Sequence, residues 1–365
     1  MQNLERLRCE HLSGSSIQNS ERVCSFSDNA PDRLLQSILV LASAIGQAPT
    51  APSQKLYWKL TNLRPTIRKA HKDRQQILQM HIDRASQRVK QGGMEVRFHS
   101  AVDYMVTREL AMAEKVGRKP ILDSPLFHDM LFGYCLGGQD TTHSVLSFLV
   151  KRLGVHQATQ DKLRTYLHQA YAPALAQRRN PTQEEITKSH IPYLDAFIEE
   201  VLRCDTPSPF VIKETLVEMP ILGAVVPKGS LLFLPLFGRS IDAPAYAIPE
   251  SARSDTSQKH NNTIPSDWTG SEFAPHEFHA ERWLRKDTTT GRVIFDPKAG
   301  PFMTFGAGNR ECWGKRLAYL QLKLIATLLL WRFQFLPLSA DLGGFETTDI
   351  LNAKPKKCFV SLKVI

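Results

Sequence analysis

The stretch PFMTFGAGNRECWGKRLAYLQLKL, residues 301–324, constrains this 365-residue chain more than any other. Its first half is a glycine-rich loop around one cysteine, Cys312, and its second half reads as a long helix. Gly306, Gly308 and Gly314 crowd the cysteine. Glycine adopts positive φ and lets a flat ligand approach the backbone. Leu317, Leu320, Leu322, Leu324 and Ile325 supply the apolar content of a buried helix. A cysteine just ahead of a helix faces the positive end of its macrodipole, and Arg310 adds positive charge two residues earlier. Two uses fit such a residue: a structural cysteine beside a turn, or a thiolate offered to a soft metal ion.

Phe305, Gly308, Arg310, Cys312 and Gly314 spell F-x-x-G-x-R-x-C-x-G. That pattern resembles the haem-binding loop of the cytochrome P-450 family, and it matches at all five fixed positions. The resemblance implies that Cys312 is the axial thiolate of a haem iron, that Arg310 reaches a haem propionate, and that Phe305, Gly308 and Gly314 shape the loop.

Residues 127–149 form a second informative run, FHDMLFGYCLGGQDTTHSVLSFL. Its length suits a membrane span, yet Gln139, Asp140, Thr141, Thr142 and His143 occupy the middle. Five polar residues at the bilayer centre make insertion costly, so the run is expected to cross the protein core as a helix. Gly137 and Gly138 each cost roughly 1 kcal/mol in a helix interior relative to alanine, which suits a position where a ligand lies against the backbone. Gly137 to Thr142 resembles the family's oxygen-binding motif, [A/G]-G-x-[D/E]-T-T. By that resemblance Asp140 and Thr141 are the acid–alcohol pair: Thr141 hydrogen-bonds iron-bound dioxygen and Asp140 relays protons.

A third motif, E-x-x-R, lies in IPYLDAFIEEVLRC at Glu200 and Arg203. Residues three apart share a helix face, and the apolar neighbours Leu194, Phe197, Ile198, Val201 and Leu202 predict that the pair is buried. A buried pair needs further partners. In the family the partner is the arginine of P-E-R-F, which here corresponds to Ala280-Glu281-Arg282-Trp283. Arg282 is therefore the expected third member of a structural core.

Between these motifs, residues 209–213 (PFVIK) and ILGAVVPKGSLLFLPL predict a small β region with two short strands around a Pro-Lys-Gly turn. The resemblance implies that Lys213 reaches a propionate and that residues 209–212 line the substrate cavity. Helices are expected from Asp32 to about Ala44, over 64–89, over 97–116 and over 155–171, with a capping box at Thr182 and Glu185. By resemblance the 64–89 helix belongs to the cavity roof. The KLYWKL segment reads as a connection, residues 250–275 as a loop insertion, 333–336 and 358–364 as closing strands, and 343–351 as a turn at the cavity.

The fold expected is mainly α with a small β region, the cytochrome P-450 fold lacking its N-terminal part. Residues 1–31 form a poorly ordered remnant and 32–365 a partial catalytic domain. The family's W-x-x-x-R is missing, since Asn62 stands four residues after Trp58. One wall of the haem pocket and one propionate contact are accordingly expected to be absent.

The net charge of +10 allows nucleic acid, a membrane surface or an acidic protein as partner. The basic residues are scattered and no nucleic-acid motif occurs, which argues against the first. Six cysteines without a C-x-x-C pair give neither zinc spacing nor a disulfide framework, as befits a reducing compartment. Asn261 begins a glycosylation sequon. No signal peptide or transmembrane segment is read. The family places such chains on the endoplasmic reticulum surface, inside the cell.

The function expected from the resemblance is a monooxygenase dependent on NADPH and a flavoprotein reductase, inserting one oxygen atom into an apolar small molecule. The T-P-S-P-F segment and the 250–275 stretch resemble fungal members of secondary metabolism. The alternatives are a remnant that does not hold haem productively and a reductase-free isomerase, against which the Asp140–Thr141 pair argues.

Overall fold

The computed structural model describes residues 32–92, 100–221, 223–238, 272–349 and 352–365, with positions 98, 243, 249, 251, 255 and 258. The readings made on residues 1–31, on most of 250–275 and on Asn261 lie outside the described residues.

The chain opens on α1 (Arg33–Gln47), α2 (Gln54–Thr61), α3 (Pro65–Gly92) and α4 (Ala101–Lys115). Asp32 caps α1 by accepting from the Leu34 amide, and Ser100 with Asp103 closes a capping box on α4. That box starts α4 four residues later than the apolar pattern suggests. The segment KLYWKL is helical rather than a connection, because Ser53 accepts from the Leu56 amide and starts α2.

Then comes α5 (Pro125–Val155), 31 residues long and so about 46 Å from end to end. After it follow α6 (Gln157–Ala170), α7 (Ala172–Ala176), α8 (Gln183–Lys188) and α9 (Pro192–Cys204). The Thr182–Glu185 capping box is formed on α8.

The β region consists of β1 (Phe210–Glu214), β2 (Met219–Ile221), β3 (Ala224–Val226) and β4 (Leu231–Pro235). The strands flanking Pro227-Lys228-Gly229 do not pair with each other. Antiparallel partners are β1 with β4, in the register Lys213 opposite Leu232, and β2 with β3. Thr215 explains the difference, since its hydroxyl donates to the Pro227 carbonyl and accepts from the Ser230 amide, closing the wider hairpin. Two further hairpin strands, β5 (Leu284–Lys286) and β6 (Val293–Phe295), follow.

The last elements are α10 (Lys315–Arg332), β7 (Phe333–Leu336), α11 (Ala340–Gly343), β8 (Thr347–Asp349), β9 (Ala353–Pro355) and β10 (Ser361–Val364). The closing strands β7 and β10 pair antiparallel.

Two hydrophobic cores result. One joins α1, α3, α4 and the start of α5 through Leu41, Ile67, Ile82, Val106 and Leu131. The other gathers the end of α5 with α6, α9, α10 and β7 around Phe148, Leu163, Phe197, Trp283 and Leu330. Helix α5 threads both, and the stretch around Gly137–Thr141 lies between them. No helix among the described residues is long and apolar enough to cross a membrane.

A polar stripe on α5 staples that helix to the end of the chain. Asp140 binds Asn352 and Lys354, Ser144 donates to the Ala353 carbonyl, and Lys151 donates to the Lys357 carbonyl. These positions, four and seven residues apart, share one helix face. They place β8–β9 beside the middle of α5, on its outer side.

Candidate functional site

The cysteine loop is held by its own backbone. The Cys312 amide donates to the Phe305 carbonyl at 2.8 Å, and the Gly306 amide to the Met303 carbonyl at 2.8 Å. Gly306 and Gly308 have φ of +69° and +68°, the left-handed region where other residues are strained. Gly314 has an ordinary φ of −80° and caps α10 instead. A Cβ there would sit 3.7 Å from the Cys312 Sγ. The Thr304 hydroxyl donates to the Leu202 carbonyl at 2.9 Å, tying the loop to α9. Cys312 is exposed, three residues ahead of α10. Helix α10 is less buried than its leucines suggest: Leu322, Ala326 and Leu330 face the core, whereas Leu317 and Ile325 are exposed. Its first turn borders the open cavity and only its later turns reach the core.

Cys312 opens into a cavity of about 270 Å³. Thr141 and Thr142 from α5 form one wall, Phe210, Val211 and Lys213 from β1 another, and Phe305, Arg310 and Cys312 the floor. Pro209 and Ile212, expected beside them, do not line it. Neither does any described residue before Thr141, so α3 contributes nothing to a roof; it packs between α1 and α4. The described part of the 343–351 segment is also elsewhere, with Gly343 ending α11 and Thr347–Asp349 forming β8.

The lining suits the haem that the resemblance implies. It offers one soft thiol, apolar walls and no carboxylate. Its two cations, Arg310 and Lys213, form no ion pair among the described residues. A dianionic, otherwise apolar plate with a metal at its centre matches that donor set. A Cβ built on Gly137 or Gly138 meets nothing within 4 Å, so the face of α5 there is open.

Thr141 and Asp140 point to different places. The Thr141 hydroxyl donates to the Gly137 carbonyl at 2.6 Å and borders the cavity. The Asp140 side chain is buried on the other side of the helix, where Asn352 Nδ2 donates to it at 2.5 Å and Lys354 Nζ forms an ion pair. Consecutive helical residues differ by about 100° around the axis, which explains the split.

Beneath the loop, Glu200 and Arg203 are fully buried with Arg282. Glu200 accepts from Arg203 Nε and Nη2 at 2.8 Å, from Arg282 Nε at 2.9 Å and from the His279 amide at 2.9 Å. Trp283 Nε1 donates to its second oxygen at 2.9 Å. Burial alone would push the Glu200 carboxyl up, but Arg203, Arg282 and the His279 amide outweigh it and hold the pKa below the ordinary value. Trp283, standing where the family has phenylalanine, thus adds a donor that motif reading missed; an indole in a buried stretch next to a buried carboxylate was the available signal. Trp283→Phe is expected to lower unfolding stability by roughly 1.5–3 kcal/mol, the range for a hydrogen bond to a charged group, as read from urea midpoints.

From Trp283 an aromatic chain runs to the loop. Ring centroids are 5.9 Å apart for Trp283–Phe302, 6.2 Å for Phe302–Phe305 and 5.2 Å for Phe305–Tyr319. The Tyr319 hydroxyl then donates to Glu199, the neighbour of Glu200. The chain gives Phe305 its role: it couples the cysteine loop to the ionic core at both ends.

Glu199 itself is buried and was not singled out from sequence. Burial raises its pKa to about 7, with Tyr319 and Lys315 pulling down and Asp195 and Glu200 pushing up. The folded state therefore keeps this proton to higher pH than the unfolded chain. The stability linked to it is full below the ordinary value of 4.5 and is lost as pH rises to about 7. Glu199→Gln is expected to abolish that decline, so that urea midpoints of variant and parent diverge between about pH 5 and about pH 8 in favour of the variant.

A family model described as Cytochrome P450 matches residues 20–253 and 273–359. The chain is 34% identical over 364 residues to "Cytochrome P450 monooxygenase TRI13" of Fusarium sporotrichioides, covering 96% of this chain and 62% of that protein. It is 36% identical over 280 residues to "Hps1-dma1 cluster cytochrome P450 monooxygenase cyp3.1" of Dothistroma septosporum, covering 73% and 87%. Among solved structures, a cytochrome P450DA heme domain superposes with a TM-score of 0.60 at 18% identity, over 93% of this chain and 63% of that one. The chain thus spans less than two thirds of the Fusarium relative it matches.

Proposed function

The chain belongs to the cytochrome P450 family, and from that premise we propose that its cavity is a haem-thiolate monooxygenase centre acting on an apolar small molecule. The observation that carries the reading is the lining itself: Cys312, Arg310 and Lys213 converge on an otherwise apolar space bordered by Thr141.

Bound haem would supply the iron centre at which dioxygen is split, one atom going to the substrate and one to water. Cys312 Sγ would be the protein's ligand, on a loop fixed by the Phe305 carbonyl and by Thr304. Arg310 and Lys213 would hold the two propionates. Val145, Phe210, Leu234 and Leu236 give the substrate side an apolar lining. The Thr141 hydroxyl stands where a proton must be presented in the cavity, and Asp140 behind it exchanges protons with solvent. Glu200, Arg203 and Arg282 support the floor without touching it.

Fungal relatives, one of them named for a gene cluster, support a role in secondary metabolism. Electrons would come from NADPH through a flavoprotein reductase, and the basic chain, at +10, suits an acidic partner. Activity at the endoplasmic reticulum surface belongs to the same reading. The gap in the family match at 254–272 supports treating 250–275 as an insertion within one catalytic domain, and the match itself begins at residue 20, ahead of the boundary near residue 32 that the sequence suggests.

A second reading, a chain that does not retain haem, rests on the missing wall: no described residue before Thr141 lines the cavity. Incubating the haem-supplemented chain with reductase, NADPH, ¹⁸O₂ and a panel of apolar terpenoids and polyketides decides between them. One ¹⁸O atom per product supports the monooxygenase. Absence of haem uptake supports the second reading.

A further inference from the structure

The segment that joins α9 to β1 lies between two cavities. Thr206 and Pro209 line a recess of about 240 Å³, whereas Pro207, Ser208, Phe210 and Val211 line the cavity that holds Cys312. The two cavities share no lining residue. We propose that the recess is a second ligand site, taking a neutral apolar ring compound of about ten non-hydrogen atoms, and that its occupancy alters binding in the first cavity.

The lining sets the chemistry of the occupant. Phe148 from α5, Phe237 after β4 and Phe345 before β8 give the recess three aromatic walls. Two of them are fixed: Phe148 is buried and stacks on Phe345 with ring centroids 6.5 Å apart, and the Arg152 guanidinium lies 4.3 Å from the Phe345 centroid. Asp205 is the one charged residue among the described lining residues, and Arg152 takes both its oxygens, at 2.8 and 2.9 Å. The Cys204 thiol accepts from Arg203 Nη2 at 3.2 Å, and the Thr206 hydroxyl donates to the Ser208 carbonyl at 3.3 Å. The lining therefore offers no free counter-charge, and burying an unpaired ion is costly, so the occupant is neutral. An apolar cavity of about 150 Å³ takes one benzene ring, and the larger recess has room for two fused rings.

The segment between the cavities is built to transmit such an occupant. Thr206 holds the carbonyl of Ser208, and the Pro209 carbonyl accepts from the Leu236 amide at 2.9 Å; Ser208 and Leu236 both line the first cavity. The Pro207 carbonyl accepts at 2.8 Å from the amide of Ala353, which lines the recess. Each cavity is thus bonded to the other through this one segment. Pro207 and Pro209 have fixed φ, so the T-P-S-P-F stretch is stiff, and pressure on Pro209 from the recess displaces Ser208 and Leu236 on the other side.

The inference goes beyond the monooxygenase reading, because the recess contains none of the residues assigned to haem. Its test is a fluorine magnetic-resonance titration of the haem-supplemented full chain with 6-fluoroindole, a neutral bicycle of the required size, after 4-phenylimidazole has filled the first cavity. A saturable bound resonance is expected. Phe237→Ala removes one wall at a side chain that is 54% exposed, so the fold should persist, and the affinity for 6-fluoroindole is expected to fall about tenfold. Ala353→Leu fills the recess and is expected to abolish the resonance. The affinity of the parent for 4-phenylimidazole, read from the Soret shift, is expected to change about fivefold or more when 6-fluoroindole is saturating, and to stay constant in Ala353→Leu. Absence of a bound resonance, or one that both variants leave unaltered, overturns the inference. A change in 4-phenylimidazole affinity that persists in Ala353→Leu places the probe in the first cavity and overturns it as well. A bound resonance without any change in 4-phenylimidazole affinity overturns the coupling. A chain that takes up no haem overturns the monooxygenase reading alone, and the resonance with its loss in the two variants still decides the recess.

Discussion

Glu200→Ala is expected to destabilise the chain by roughly 3–5 kcal/mol, the cost of leaving buried charge without its partner. The carboxylate is the common acceptor for Arg203, Arg282, Trp283 and the His279 amide, and both arginines are buried with it. Removing it leaves two cations facing each other in a low-dielectric core. Against a total stability of about 5–15 kcal/mol for an ordinary protein, that loss approaches unfolding. Glu200→Gln should fare little better, because an amide nitrogen would meet arginine donors. Urea midpoints of parent and variant measure the effect, and a change under about 1 kcal/mol would show that the cluster is not the keystone of the core. The sign with pH follows from the carboxyl's lowered pKa. The cluster's contribution is present above the ordinary carboxylate range and is lost only as pH falls through the lower, folded value. Glu199, one residue earlier, runs the opposite way, because it lacks an arginine and burial dominates.

Cys312→Ala is expected to abolish the strongly red-shifted Soret band of the reduced, carbon-monoxide-bound chain, with the fold unchanged. The side chain is exposed and, among the described residues, its thiol makes no hydrogen bond; the loop is held by the Cys312 amide, which alanine keeps. Far-ultraviolet circular dichroism and the urea midpoint should therefore match the parent, while the spectral signature of thiolate ligation disappears. Identical spectra in both proteins would exclude Cys312 as the ligand. A parallel loss of folding would instead make it a structural cysteine.

Local patterns carried the secondary structure well wherever the hydrogen-bonding signal was local. The Thr182–Glu185 box and the Asp32 cap are sequence-adjacent devices, and both are formed. KLYWKL reads as a connection from sequence because Pro49 and Pro52, just ahead of it, obscure the Ser53 cap. The β region was legible as strands but not as a topology, since the pairing of β4 with β1 depends on Thr215 bridging to Pro227 and Ser230. The hairpins β5–β6 and β8–β9 were invisible, because strands of three residues have too little pattern to read.

By itself, the sequence determined the chemistry on offer: a cysteine in a tight glycine loop, an acid–alcohol pair on a core helix, and a glutamate and arginine on one helix face. Those follow from residue type and spacing of a few positions, which backbone geometry makes nearly context-free. Only the tertiary structure decided where they act. It brought Lys213 and Arg310, 97 residues apart in the chain, onto one lining without counter-ions among the described residues, and it turned Asp140 away from the cavity toward Asn352 and Lys354, more than 200 residues later. It also joined Trp283 to Tyr319 through two phenylalanines, so that the ionic core and the cysteine loop form one unit. Such contacts depend on how two hydrophobic cores share a single long helix, and no local spacing encodes that arrangement.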